Sequence, residues 1–530
     1  MKRVLLSAIL ATLLPLAVAQ QDVQSGEAMA KLLASRAADT PKGLRAVRAH
    51  EMALRFYANR GGRPVWGGER RAMATQVLQQ LRQAAQHGLV VEDYAVRMPL
   101  PEAGAPADEL AQFDLELTCA VLRFLSDLHS GRTTPEYKWY AGIRAPDSFD
   151  PVIALAAAID EATLDSAISA AEPKSALYSR VKQTLSQYRS LEPAFTRLPP
   201  LAAPSVTRGD GALHANPADI RQRLVLLGDM AEDGTDSAAL EAGVRNFQAR
   251  HGLVADGIAG RATLSALSVP LSQRIRQLEL TLERLRWLPA LPPGPLIVVN
   301  VPAFRLWALD TRVTPASVEV EMRVIVGNAA RTPTPLLVAQ LSHLEFNPAW
   351  NVPRSIEVQE LIPKLARDPE LLRKEDMELV PRIGAANSGS SSALDALRDG
   401  TMRLRQRPGP RNVLGAVKFA MPNPMNIYLH GTSARQLFNQ ARRDLSHGCI
   451  RLEHPDELAI FALRDDERWN RLNVLAAMEP GPTKIVTLKM PIPVLLLYAT
   501  AITDRQGRAI FLPDAYGLDR KLAEVLGAEK

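Results

Sequence analysis

Up to about Pro200, apolar residues recur at helical spacing. Leu110, Phe113, Leu117, Val121, Phe124 and Leu128, for instance, share one face of a predicted helix. Turn-forming stretches such as Asn59-Arg60-Gly61-Gly62-Arg63-Pro64 and His129-Ser130-Gly131-Arg132 separate the helices, so residues 27–200 read as a helical scaffold. Leu198 to Thr207, with Pro199, Pro200 and Pro204, reads as a linker. A small unit over 215–270 follows. It has a helix from Ile220, a glycine-containing loop at Gly228 to Gly234, a second helix with Leu240, Val244 and Phe247 on one face, then a turn and a third short helix.

From Leu296 the period shortens. Ile297 to Val301, Val318 to Gly327 and Ala339 to Phe346 are β-branched runs bounded by Pro or Gly, which begin a β-rich unit over 295–488. It is interrupted at 355–407 by a helical and polar insertion carrying the low-complexity tract Gly384 to Ala393. An insertion of that size in a compact domain reads as a mobile cap. Pro493 to Ala499 is too short to span a bilayer and reads as a buried strand within a C-terminal extension, 489–530. The pattern is that of a multidomain α+β protein: helical front, three-helix unit, β-rich domain with a helical cap.

Composition adds compartment. Met1-Lys2-Arg3, an apolar stretch from Val4 to Val18 and Ala17-Val18-Ala19 before Gln20 have the form of a signal peptide over 1–19, cleaved after Ala19. Export is expected, with no membrane span after cleavage. Loss of Lys2 and Arg3 lowers the formal charge from +6 to +4, and no basic tract points to nucleic acid.

Only Cys119 and Cys449 are present, fewer than a disulfide-stapled exported protein would carry. Cys119 lies at helical spacing from Leu115 and Leu122 and reads as a small buried apolar residue; His129, at a helix end, reads as structural. Cys449 stands in Ser446-His447-Gly448-Cys449-Ile450-Arg451-Leu452, downstream of the strand-like Asn426-Ile427-Tyr428-Leu429 that leads into His430-Gly431-Thr432. A thiol attacks carbonyls as thiolate, and with an ordinary pKa of ~8.5 it needs a base and positive surroundings. His430, His447 and Arg451 supply both in sequence terms. Gly448 allows a tight turn, and the amides of Gly448 and Cys449 are candidates to face the oxyanion formed on attack. No Cys-x-x-Cys or His-Glu-x-x-His pattern accompanies these residues, so no metal or cofactor is expected, and a redox thiol would lack a nearby resolving partner.

His430 followed by Ser446-His447-Gly448-Cys449 and Arg451 resembles the catalytic motif of the L,D-transpeptidase (YkuD-type) family. The likeness extends to Gly327, Thr332-Pro333-Thr334-Pro335, Asn347 to Pro353, Pro408-Gly409-Pro410, Asn412 and Leu414-Gly415. Phe247, Gln248, Gly252, Leu253, Asp256, Gly257, Gly260, Thr263 and Leu267 resemble the three-helix peptidoglycan-binding domain, although most of these residues specify shape rather than sugar contacts.

The resemblance implies a periplasmic enzyme acting on peptidoglycan tetrapeptide stems, as donor and acceptor, beside glycan strands. Cys449 would hold the donor as a thioester with release of D-Ala, and the diaminopimelate amine of a second stem would take it, giving a 3→3 cross-link. In that reading His430 is general base, and His447 is an alternative base, an orienting residue or a backbone N–H donor to the oxyanion. Ser446 contacts substrate, Arg451 grips a substrate carboxylate or holds the loop, Tyr428 and Trp350 line the cleft or belong to the core, and carbapenem-type β-lactams acylate Cys449. Gly431 leaves a backbone carbonyl to orient the His430 imidazole. The same parts would also serve an L,D-carboxypeptidase or an enzyme acting on protein-to-wall links, and the front half alone would suit a wall-binding scaffold without catalysis.

Overall fold

The computed structural model describes residues 24–35, 44–102, 104–133, 141–142, 149–201, 216–313, 316–382, 392–504 and 506–528. The expected leader, the linker from residue 202 onward and most of the Gly-Ser tract lie outside the described residues.

The front is helical. Helix Leu44–Asn59 packs Ala53, Phe56 and Tyr57 against the long helix Ala107–Ser130, whose Phe113, Leu117, Val121, Phe124 and Leu128 are buried as their spacing predicts. Buried Asp114 ties the turn after the first helix to the second. It accepts the Tyr57 hydroxyl at 2.6 Å and the backbone N–H groups of Val65 and Trp66 at 2.8 and 2.7 Å. Cys119 is half-buried against this core, and His129 packs on Phe149 with Nδ1 3.1 Å from Ala171 O.

Three short helices follow, Pro217–Leu226, Ser237–Arg250 and Arg261–Leu267. Gln248 is their hub: its side chain donates to Asp256 Oδ1, Ile258 O and Thr263 Oγ1 and accepts from the Gly257 N–H, so the motif residues here build the turn. Helix Leu271–Leu285 then leads into the β-rich domain.

The strands are β1 (Ala141–Gly142), β2 (Pro295–Asn300), β3 (Arg305–Asp310), β4 (Ser317–Gly327), β5 (Leu337–Phe346), β6 (Trp350–Asn351), β7 (Met377–Pro381), β8 (Met402–Gln406), β9 (Val417–Ala420), β10 (Leu429–His430), β11 (Asp444–Ser446), β12 (Ile450–Leu452), β13 (Lys484–Leu497), β14 (Ala501–Thr503) and β15 (Ala509–Phe511). The main sheet runs β1-β5-β13-β2-β3-β4-β12-β10-β9, and β9 pairs again with β5, so eight strands close on themselves. Closure leaves those strands no open edge and surrounds a core containing Val299, Leu306, Val324, Leu341, Phe419, Leu429, Ile450 and Leu496. The boundary expected at residue 489 falls inside β13.

Two local expectations change. Asn426 is not in a strand but turns through φ 52°, leaving β10 only two residues long. The cap is more than a loop: β6, β8 and β7 form a sheet that packs Val352, Leu361, Ile362, Leu365, Met377, Leu397 and Leu404 into a core of its own. Among the described residues, no helix is long and apolar enough to cross a membrane.

Candidate active site

Strand register assembles the site. β10 and β12 run parallel, with Leu429 opposite Ile450 and His430 opposite Arg451. The Ile450 N–H donates to Tyr428 O at 3.1 Å as part of this pairing, and the side chains of Tyr428 and Cys449, one residue before each strand, interact with one another. Opposed residues share a face and alternate residues switch faces. Leu429 and Ile450 point into the core, so His430 and Arg451 lie on the other side, while Cys449 meets Tyr428 and also packs against the edge of the core. The same rule adds Lys418 of β9, opposite His430, and Glu345 of β5, opposite Lys418. The Lys418 ammonium sits 2.7 Å from Glu345 Oε1 and 5.0 Å from the centre of the Tyr428 ring.

His430 is buried. Desolvation, then the charge of Arg451, push its imidazole down to about 3, with Lys418 adding to the effect. The backbone at Gly431 and Leu414 pulls the other way, although Nδ1 meets no acceptor at hydrogen-bonding geometry among the described residues. The ring is therefore a neutral base at rest, 5.6 Å from Tyr428 between ring centres.

Cys449 is half-buried, and its Sγ lies 3.7 Å from the Asn426 carbonyl, within reach of a weak thiol hydrogen bond. Burial pushes the thiol up, against the pull of Tyr428 and of the cations Lys418 and Arg451. The positive surroundings expected from the sequence are present, but desolvation outweighs them and the resting group is a thiol. Burial also raises the Tyr428 phenol, which interacts with Cys449 on one side and Trp350 on the other. Arg451 is half-buried, its Nε has no partner, and no carboxylate among the described residues pairs with it.

The turn carrying the thiol is tightly held. Gly448 sits at φ 112°, a conformation that a side chain would strain. Ser446 is buried and faces its own loop, donating Oγ to Cys449 O at 2.6 Å and accepting the Gly448 N–H at 3.2 Å. From the sequence, Ser446 is expected to touch substrate and the Gly448 amide to face an oxyanion. Both are engaged within the turn, because a buried hydroxyl and amide must find partners. His447 projects outward to the cap, with Nε2 2.6 Å from Glu360 Oε1.

Lys418, Glu345, Asn426 and Glu360 were not singled out from sequence. A signal existed for the first two, each a lone charge between buried neighbours on a strand, in Val417-Lys418-Phe419 and Leu344-Glu345-Phe346. None existed for Glu360, which meets His447 only through the folding of the cap.

Residues 294–485 match the model of the L,D-transpeptidase catalytic domain, 214–267 that of a domain described as "Putative peptidoglycan binding domain", and 52–185 that of a scaffold domain. Over 253 residues the chain is 33% identical to a protein of Haemophilus influenzae (strain ATCC 51907 / DSM 11121 / KW20 / Rd) named "Putative L,D-transpeptidase". That alignment covers 47% of this chain and 50% of the relative, so the chain spans about half the length of the curated protein it matches.

Proposed function

We propose that this chain, which carries an L,D-transpeptidase catalytic domain behind a scaffold domain and a peptidoglycan-binding domain, is a cysteine acyltransferase that cross-links peptidoglycan stems in the periplasm. The observation that carries the reading is the β10–β12 pairing, which sets His430 opposite Arg451 and leaves Tyr428 and Cys449 in contact just before the two strands.

In the first step Cys449 Sγ attacks the carbonyl before the terminal D-Ala of a tetrapeptide stem while the neutral His430 takes the thiol proton. A resting thiol beside a neutral imidazole suits proton transfer during attack rather than a standing ion pair. The proton then passes to the departing amine, D-Ala leaves, and the stem remains as a thioester. In the second step the side-chain amine of diaminopimelate on another stem attacks, His430 removes its proton, and the thiol is restored with a 3→3 link formed. The Cys449 N–H is the oxyanion donor, since Gly448 gives its own amide to Ser446. Arg451, a partly buried guanidinium without a carboxylate of its own, receives a stem carboxylate. Tyr428 and Trp350 form the wall against which the stem lies. The strained ring of a carbapenem presents the same kind of carbonyl and acylates the same thiol.

Transfer rather than hydrolysis is favoured by the cap, whose Glu360 reaches the nucleophile's own turn through His447 and so covers that side of the thiol. Incubation of the mature protein with disaccharide-tetrapeptide, beside Cys449→Ala, tests the proposal by mass spectrometry. The expected result is a cross-linked dimer with loss of D-Ala in the intact protein alone. Free tripeptide without dimer would instead establish the carboxypeptidase.

A further inference from the structure

The catalytic-domain match ends at residue 485, yet the turn bearing the thiol is braced from beyond it. Tyr516 donates its hydroxyl to Gly327 O at 2.5 Å and accepts the Thr334 N–H at 3.2 Å. Thr334 in turn accepts the Gly327 N–H at 2.8 Å and donates Oγ1 to Gly448 O at 2.7 Å. Thr332 Oγ1 and the Asn328 N–H both donate to Ser446 O, at 3.1 and 2.9 Å. The loop from Gly327 to Thr334 is thus a plate with the phenol on one side and both carbonyls flanking His447 and Gly448 on the other. There is no slack in it: a Cβ on Gly327 would stand 2.0 Å from Thr332 O and 2.9 Å from Gly448 Cα.

Tyr516 is itself fixed. Its N–H donates to Tyr498 Oη at 2.8 Å, Tyr498 donates to Asp514 Oδ1 at 2.5 Å, and the other oxygen of Asp514 accepts the Asp519 N–H at 3.1 Å. Burial pushes the Tyr516 phenol up to about 12, so its hydroxyl stays protonated and remains a donor.

We infer that Tyr516 of the C-terminal segment is a positioning residue for Cys449, its hydroxyl holding the Gly327–Thr334 loop that sets the nucleophile's turn. The inference rests on the proposed role of Cys449 as nucleophile. Tyr516 touches no reacting atom. Its effect reaches the thiol through one intervening loop, and small displacements of a nucleophile are costly to rate because attack needs aligned atoms at close range.

Tyr516→Phe keeps the ring and removes only the hydroxyl, and Thr334→Val breaks the next link. Two readouts on the full-length protein separate positioning from packing. In steady state with tetrapeptide, Tyr516→Phe is expected to lower kcat roughly tenfold with KM within about twofold. In iodoacetamide labelling mapped to Cys449 by peptide mass, the pH profile of the variant is expected to shift, with circular dichroism and the order of unfolding preserved. The double variant is expected to lose no more than the more impaired of the two singles, since both act through one loop. An unchanged labelling profile and unchanged kcat would overturn the inference, as would a loss of activity that tracks loss of folded protein. If the wild-type chain released no D-Ala, the transpeptidase reading would fall, while the labelling profile would still decide for or against Tyr516.

Discussion

At the residue scale the site turns on two groups that burial holds neutral. A free thiol near 8.5 beside an imidazole near 6.5 would share a proton readily, whereas here desolvation moves the two apart, Cys449 upward and His430 down to about 3. Ionisation at rest therefore costs more than it would in water, and substrate must supply the setting in which the proton moves. The sign is definite: with a raised pKa the thiol form persists to higher pH, so alkylation of Cys449 in the free protein should rise through an inflection above ~8.5 rather than at neutral pH. A stopped-time labelling series from pH 6 to 10, with Cys119 resolved as a separate peptide, checks this, and a plateau already reached at pH 7 would show a preformed thiolate. The Ser-His-Gly-Cys run and His430 were legible in the sequence because they are local. The dominance of burial over Lys418 and Arg451 was not legible, because desolvation is a property of the assembled barrel.

At the element scale, two strands of two and three residues set His430 opposite Arg451, beside the turn that carries Cys449. They hold because their other faces carry Leu429, Ile450 and Leu452 into the core. Alternation in β2, β4 and β5 was readable directly, since long β-branched runs leave little choice. Strand β10 was not, because Asn426 leaves extended conformation and its carbonyl turns toward the thiol. The cap insertion was visible as a break in the strand pattern, but its sheet and core depend on β6, β7 and β8 meeting across the insertion, which periodicity does not encode. Its ion pair with the turn that carries Cys449, Glu360 with His447, is exposed and should add little to stability. Its expected effect is on partition. Glu360→Gln should raise the ratio of free tripeptide to cross-linked dimer severalfold while D-Ala release stays within about twofold, because access of water to the thioester changes and the acylating groups do not. Product ratios by mass spectrometry check this, and an unchanged ratio would separate the cap contact from transfer.

At the scale of the molecule, helical front, three-helix unit and barrel are joined by buried polar contacts. Glu283, on the helix entering the barrel, accepts the backbone N–H groups of Arg132 and Thr133 from the front, and Arg284 pairs with Asp519 of the C-terminal segment at 2.5 Å. Each unit also buries one histidine that is held neutral: His87, His251 and His430, all shifted downward by desolvation, the last two to about 3. Unfolded, each would take up a proton near 6.5 that the folded state refuses. Stability contributed by the neutral burial of His251 and His430 is thus present above that value and lost as pH falls from ~6.5 toward ~3, at up to about 1.4 kcal/mol per unit of pH for each, and His87 contributes with the same sign. The thermal midpoint should drop between pH 6.5 and 5, before most carboxylates titrate. His251→Asn should flatten that limb in the melting curve, and an unflattened limb would assign the acid sensitivity elsewhere. The order of units was readable from changes in hydrophobic period. The contacts between them were not, because Glu283 and Arg284 look like any charged residues on an amphipathic helix.

The claim that holds these scales together is that Cys449, served by His430, carries the donor stem as a thioester. Rapid quench of the protein with a tetrapeptide whose diaminopimelate side-chain amine is acetylated, so that no acceptor amine is present, followed by peptide mapping, tests it at the bond itself. A tripeptide-stem adduct, lacking D-Ala, is expected on the Cys449 peptide and is expected to be absent in His430→Ala. An active protein with no adduct on Cys449 under any quench time, or with the adduct on Cys119, would contradict it.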